Sequence, residues 1–142
     1  MALARTQRLL AENSQGQTEL KSFIDEIVEP FGGARFVVEG PSVAVPRYLG
    51  TSCALLLHEL CTNALKYGSL SVPDGRVRIA WRIQDNRARL EWREYNGPPV
   101  TSPARNGFGS RLLKTAFSPN HGHAEIRYDP DGVKCSLEFA LL

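Results

Sequence analysis

The chain has 142 residues, 42% hydrophobic and 23% charged, with a formal net charge of +2. That length gives one domain with a real hydrophobic core, and so small a charge argues against a general nucleic-acid binder. No run of about 18 apolar residues exists to form a membrane-spanning helix, and the N-terminus lacks the apolar core of a signal peptide. Cys53, Cys61 and Cys135 are odd in number and show no CxxC spacing. They read as reduced thiols of a cytoplasmic protein rather than a zinc site or a disulfide framework.

In chain order, Ala2 to Glu12 is helix-prone, and Asn13 to Gln17 breaks it. Glu19 to Val28 repeats Leu20, Phe23, Ile24 and Ile27 at helical spacing. Pro30 and Gly32-Gly33 close that helix. Arg35 to Glu39 and Ser42 to Val45 read as short strands around a Gly40-Pro41 turn. Pro46 opens a long helix ending near Tyr67, with Gly68 as its C-terminal cap. Val77, Ile79, Trp81 and Ile83 alternate along one strand. Leu90, Trp92 and Glu94 alternate along the next, after a turn at Gln84-Asp85-Asn86. Pro98 to Asn106 is a loop, Phe108 to Phe117 a helix, and His123 to Tyr128 and Val133 to Leu141 the last strands. Helices that precede and interrupt a largely antiparallel sheet predict an α+β two-layer sandwich, with helices on one face and the other face wet.

The long helix carries the most informative residues. Cys53, Leu56, Leu57, Leu60 and Ala64 form its apolar stripe. Glu59, Asn63 and Lys66 follow one another at spacings of four and three, on a neighbouring strip. An acid, an amide and an ammonium there suit an oxygen-bound divalent ion beside phosphate groups; the plainer alternative is a solvated helix face. Tyr67 either flanks a ligand or packs at the helix end. His58 reads as structural, bonded to a neighbouring backbone group. Farther on, Gly107 and Gly109 precede a helix whose exposed N–H groups make an anion site, with Ser110 adding a hydroxyl. Arg111 either reaches a phosphate or decorates the surface.

Three separated blocks now stand in order: His58 to Gly68, Trp92-Arg93-Glu94-Tyr95-Asn96-Gly97-Pro98-Pro99, and Gly107-Phe108-Gly109-Ser110-Arg111. Together they resemble the ATP-binding domain of the HWE family of sensor histidine kinases, from about Leu20 to the C-terminus. The family is named for a histidine in the first block and a Trp-x-Glu in the second, here His58 and Trp92-Arg93-Glu94. The resemblance implies the mixed, mostly antiparallel fold shared by histidine kinases, gyrase and Hsp90, with ATP and Mg²⁺ between helices and sheet. Carried over, Asn63 binds Mg²⁺ and Glu59 holds a metal water or orients the attacking group. Lys66 faces the phosphates, Glu94 accepts from the adenine amino group, and Gly97 lets the base approach the backbone. Asn96 stands where the family more often has glycine, and asparagine tolerates positive φ.

A phosphoacceptor motif of the His-Arg-x-x-Asn kind is absent from the chain. The expectation is therefore residues 1–16 as the tail of a dimerisation hairpin and 17–142 as the catalytic domain. That domain would transfer the γ-phosphoryl group to a hairpin histidine and on to a response regulator. Alone it should be monomeric and should not phosphorylate itself. Two alternatives remain at this point. One is an anti-sigma-factor serine kinase of the same fold; the other is a degenerate docking domain of a histidine phosphotransferase, which would lack the acid, amide and glycines.

Overall fold

The computed structural model describes residues 18–100 and 122–141. Two helices, α1 (Leu20–Val28) and α2 (Gly50–Lys66), pack on a sheet of five strands: β1 (Phe36–Glu39), β2 (Arg76–Gln84), β3 (Arg87–Tyr95), β4 (Gly122–Asp129) and β5 (Gly132–Ala140). The strand order is β1-β2-β3-β5-β4, with β1 parallel to β2 and every other pair antiparallel. This is the α+β two-layer arrangement that the pattern predicts.

The layers follow from periodicity. Along α1, Leu20, Phe23, Ile24 and Ile27 are buried together. In β3 every second residue is buried: Ala88, Leu90, Trp92 and Glu94. All of these but Glu94 join Leu56, Leu57 and Leu60 of α2 and Leu137 and Phe139 of β5 in a single apolar cluster. Asp85 and Asn86 both adopt positive φ, 53° and 59°, as a two-residue hairpin turn requires. Among the described residues, no helix is long and apolar enough to cross a membrane.

Three expectations need correction. Ser42 to Val45 is not a strand but a single antiparallel bridge, Glu19 to Ala44. Among the described residues two bonds flank it, from Leu20 N to Val43 O and from Val45 N to Thr18 O, both 2.8 Å, and Leu20 already begins α1, so the pairing ends there. Helix α2 begins at Gly50, because Pro46 first winds a tight turn in which Leu49 N–H reaches the Pro46 carbonyl at 3.0 Å. Ile83 is 40% exposed, so the alternation of β2 fades toward the hairpin turn. The N-terminal segment 1–16 and the helix expected over Phe108 to Phe117 lie outside the described residues.

Candidate functional site

The apolar stripe of α2 fixes which way its polar strip points. Cys53, Leu56, Leu57, Leu60, Cys61 and Ala64 are buried, which leaves Glu59 and Asn63 half-buried at the margin and Lys66 and Tyr67 exposed. Lys66 lies in the last turn, where a cation meets the negative end of the helix dipole. The His58 ring packs edge-on against Phe31, centroids 5.4 Å apart, in keeping with a structural part for it.

The helix ends differently from the predicted cap. Gly68 has φ −107° and ψ −149°, outside the left-handed region. Its N–H reaches the carbonyls of Asn63 and Ala64 at 3.2 and 3.0 Å. Close approach, not positive φ, makes it glycine: a Cβ would stand 2.2 Å from Glu94 Oε1 and 3.1 Å from Ala64 Cα. Gly68→Ala is therefore expected to lower stability by about 1–3 kcal/mol, as overpacking of a filled site does. Urea unfolding of the two chains measures it.

Strand β3 delivers Glu94 to the same point. Being two residues after Trp92, Glu94 shares its inward face, and it is only 4% exposed. Its Oε1 accepts the Ser69 N–H at 3.0 Å, and its Oε2 accepts Trp92 Nε1–H at 3.0 Å. Among the described residues no cation pairs with this carboxylate. Burial pushes its carboxyl above the usual range, opposed by the hydrogen bonds from Ser69 and Trp92. Ser69 Oγ is buried beside it, near enough to favour the charged form, yet it meets the geometry of a hydrogen bond with no described residue. Burial also holds the thiols neutral: Cys53 and Cys135 are pushed up to about 12, and Cys61 higher still, with Glu94 adding to it. No reactive thiolate arises there.

Beyond Glu94 the chain turns sharply. Asn96 takes φ 57°, the positive value that asparagine tolerates. A Cβ on Gly97 would lie 2.6 Å from Ser69 Cα. Gly68, Ser69, Glu94 and Gly97 thus meet at one point, just past the helix end that carries Asn63 and Lys66. Gly107, Gly109, Ser110 and Arg111 lie outside the described residues, so their placement toward this point is not described. Sequence reasoning missed Ser69. Nothing in its sequence context marks it, because its importance comes from two contacts across 25 residues or more.

A purine base and a divalent ion suit these groups. A buried carboxylate without a cation and a hydroxyl without a hydrogen-bond partner, both among the described residues, offer polar atoms to a ligand edge. Among the described residues no three His, Cys, Asp or Glu side chains cluster as a metal cage. The oxygen donors available on α2, Asn63 and Glu59, suit Mg²⁺, which takes one or two protein oxygens beside phosphates and water.

No family model matches the chain. It is 31% identical over 140 residues to a blue-light-activated histidine kinase of Brucella anthropi, covering 93% of this chain and 28% of that protein. The blue-light-activated histidine kinase of Brucella ovis is 34% identical over 139 residues, with 93% and 26% covered. The chain thus spans about a quarter of the curated relatives it matches. Among solved structures, the Erythrobacter litoralis EL346 blue-light-activated histidine kinase superposes with a TM-score of 0.73 at 16% identity, over 99% of this chain and 53% of that one. The catalytic domain of histidine kinase ThkA gives a TM-score of 0.63 at 19% identity, over 87% and 94%. The second comparison matches almost a whole catalytic domain. The chain is thus similar in sequence to part of these histidine kinases and has the α+β fold of the histidine kinase catalytic domain.

Proposed function

We propose that this chain is the ATP-binding catalytic domain of a sensor histidine kinase, one that passes the γ-phosphoryl group of ATP to a histidine on a dimerisation hairpin. The observation that carries the reading is Glu94: a buried carboxylate held by two donors, with no cation among the described residues, beside the end of the helix that bears Asn63. A structural carboxylate at such a depth would ordinarily be paired. A carboxylate that reads the amino edge of adenine needs to be buried, oriented and unpaired.

The roles proposed for the site residues are those that the family resemblance implies. Asn63 offers its amide oxygen to Mg²⁺, which when bound screens the phosphate charge. Glu59, one turn earlier, holds a water on the ion or orients the attacking histidine. Lys66 places a positive charge by the phosphates, and Tyr67 flanks the nucleotide from the helix end. Gly97 lets the base lie close to the backbone. Gly107, Gly109, Ser110 and Arg111 supply N–H groups, a hydroxyl and a charge to the phosphate oxygens. The protein's part is positioning and charge neutralisation, as in phosphoryl transfer generally.

Residues 1–16 are taken as the tail of the hairpin and 17–142 as the catalytic domain, monomeric by itself, in a kinase that dimerises through the hairpin and works in the cytoplasm. The partner proposed downstream is a response regulator. The names of the relatives support this, and histidine kinase ThkA has been solved in complex with a response regulator protein, TrrA.

The test supplies γ-labelled ATP to the chain alone and to the chain mixed with the hairpin of a 34%-identical relative. Acid-labile label is expected on the hairpin histidine and not on this chain. Acid-labile label on this chain by itself would contradict the assignment. Acid-stable label on a serine of a partner would move it to the serine-kinase alternative.

A further inference from the structure

Arg35 closes the short 3-10 turn Gly33–Arg35, immediately before β1. Its guanidinium does not pair with a carboxylate among the described residues. It gathers backbone carbonyls instead. Nη1 donates to Leu70 O at 3.1 Å, Nε to Gly75 O at 3.2 Å, and Nη2 to Gly75 O at 2.9 Å, to Ser69 O at 3.3 Å and to Val72 O. One side chain thereby holds four carbonyls of the segment between α2 and β2. The planar fork of arginine suits such a cluster, and the point charge of lysine does not.

That segment contains Ser69. Its carbonyl faces Arg35 while its N–H donates to Glu94 Oε1. The turn is also tightly closed: a Cβ on Gly75 would fall 1.6 Å from Ser69 O. Register explains how Arg35 comes to be there. Phe36 pairs with Val77 in the parallel β1–β2 ladder, so the residue before β1 meets the residues just before β2. Arg35, the 69–75 segment, Ser69 and Glu94 form one continuous chain of contacts from the rim of the domain to the buried acid.

We infer that Arg35 is a positioning residue for the candidate nucleotide site, acting through the Ser69 backbone to set the orientation and charge state of Glu94. This rests on the reading of Glu94 as the base-recognising acid. Without Arg35 the 69–75 carbonyls lose their common donor, the turn opens, and Ser69 N–H leaves Glu94. The acid then keeps only its bond from Trp92.

Both steps have a readout independent of nucleotide. Trp92 Nε1–H donates to Glu94 Oε2, so its indole N–H resonance follows the ionisation of that acid. Trp81 Nε1–H donates to Pro41 O and serves as the internal control. On α2 the Cys61 thiol feels the charge of Glu94, and its burial keeps it neutral through the range. In Arg35→Gln, the midpoint of the Trp92 resonance is expected to move to higher pH, because a bond favouring the charged carboxylate is gone, while Trp81 stays still. Affinity for Mg-ATP should fall about tenfold, the scale of one lost hydrogen bond to a charged group, with Mg-GTP unchanged. If Arg35→Gln fails to fold, Arg35→Lys is read instead, with a smaller shift in the same direction. A folded variant whose Trp92 midpoint equals that of the parent overturns the inference, as does a parent in which Trp92 does not titrate. If the parent binds no Mg-ATP, the nucleotide reading fails, and the indole midpoint still decides the part played by Arg35.

Discussion

Asn63→Ala is expected to weaken Mg-ATP binding about a hundredfold, the upper range for loss of a bond to a charged centre, and to leave ATP binding in EDTA little changed. The contrast is what identifies the role. Asn63 is half-buried on the margin of α2, and its backbone carbonyl already accepts the N–H groups of Tyr67 and Gly68. Those bonds survive truncation of the side chain, so the helix end should persist. Alanine is also the better helix former, and thermal unfolding of the variant should therefore match or exceed the parent. A variant that lost ATP with and without the metal to the same degree would assign Asn63 to the nucleotide and not to the ion.

The second large effect belongs to Glu94→Gln. Three donors would converge on this side chain with adenine bound: Ser69 N–H, Trp92 Nε1–H and the base amino group. A carboxylate has acceptor capacity for all of them, and an amide brings a single oxygen and two hydrogens. The expected result is about a hundredfold loss of ATP affinity, with GTP affinity much less affected. Stability should respond as well. The folded chain holds the Glu94 proton to a pH above the ordinary value of 4.5, because burial disfavours the charged form. The unfolded chain releases it near 4.5, so the contribution of this group to stability is complete below that pH and is lost as pH rises through the folded value. In Glu94→Gln that decline should vanish from the stability–pH profile. An unchanged profile would show that Glu94 is not the group that titrates.

Much of this was legible beforehand, for definite reasons. The alternation of Leu90, Trp92 and Glu94 sufficed to place the acid on the inner face of β3, since a strand has period two. The strip of Glu59, Asn63 and Lys66 followed in the same way from the helical repeat. Asn96 could be expected at positive φ from its chemistry. What escaped were contacts between segments far apart in the chain. Gly68 read as a helix cap, a local role, but its lack of a side chain answers to Glu94, 26 residues away. Arg35 read as the first residue of a strand, with nothing to indicate that four carbonyls of a distant turn would converge on it. The failed strand at Ser42 to Val45 has a related cause: its partner Glu19 stands immediately before α1, so the pairing stops after one bridge.

Titration of the chain with Mg-ATP by calorimetry, repeated in EDTA and with Mg-GTP, tests the central claim most directly. The account predicts saturable binding of one ATP per chain that weakens in EDTA and is much weaker for GTP. Absence of ATP binding by the folded chain, or equal binding of ATP and GTP, would contradict it.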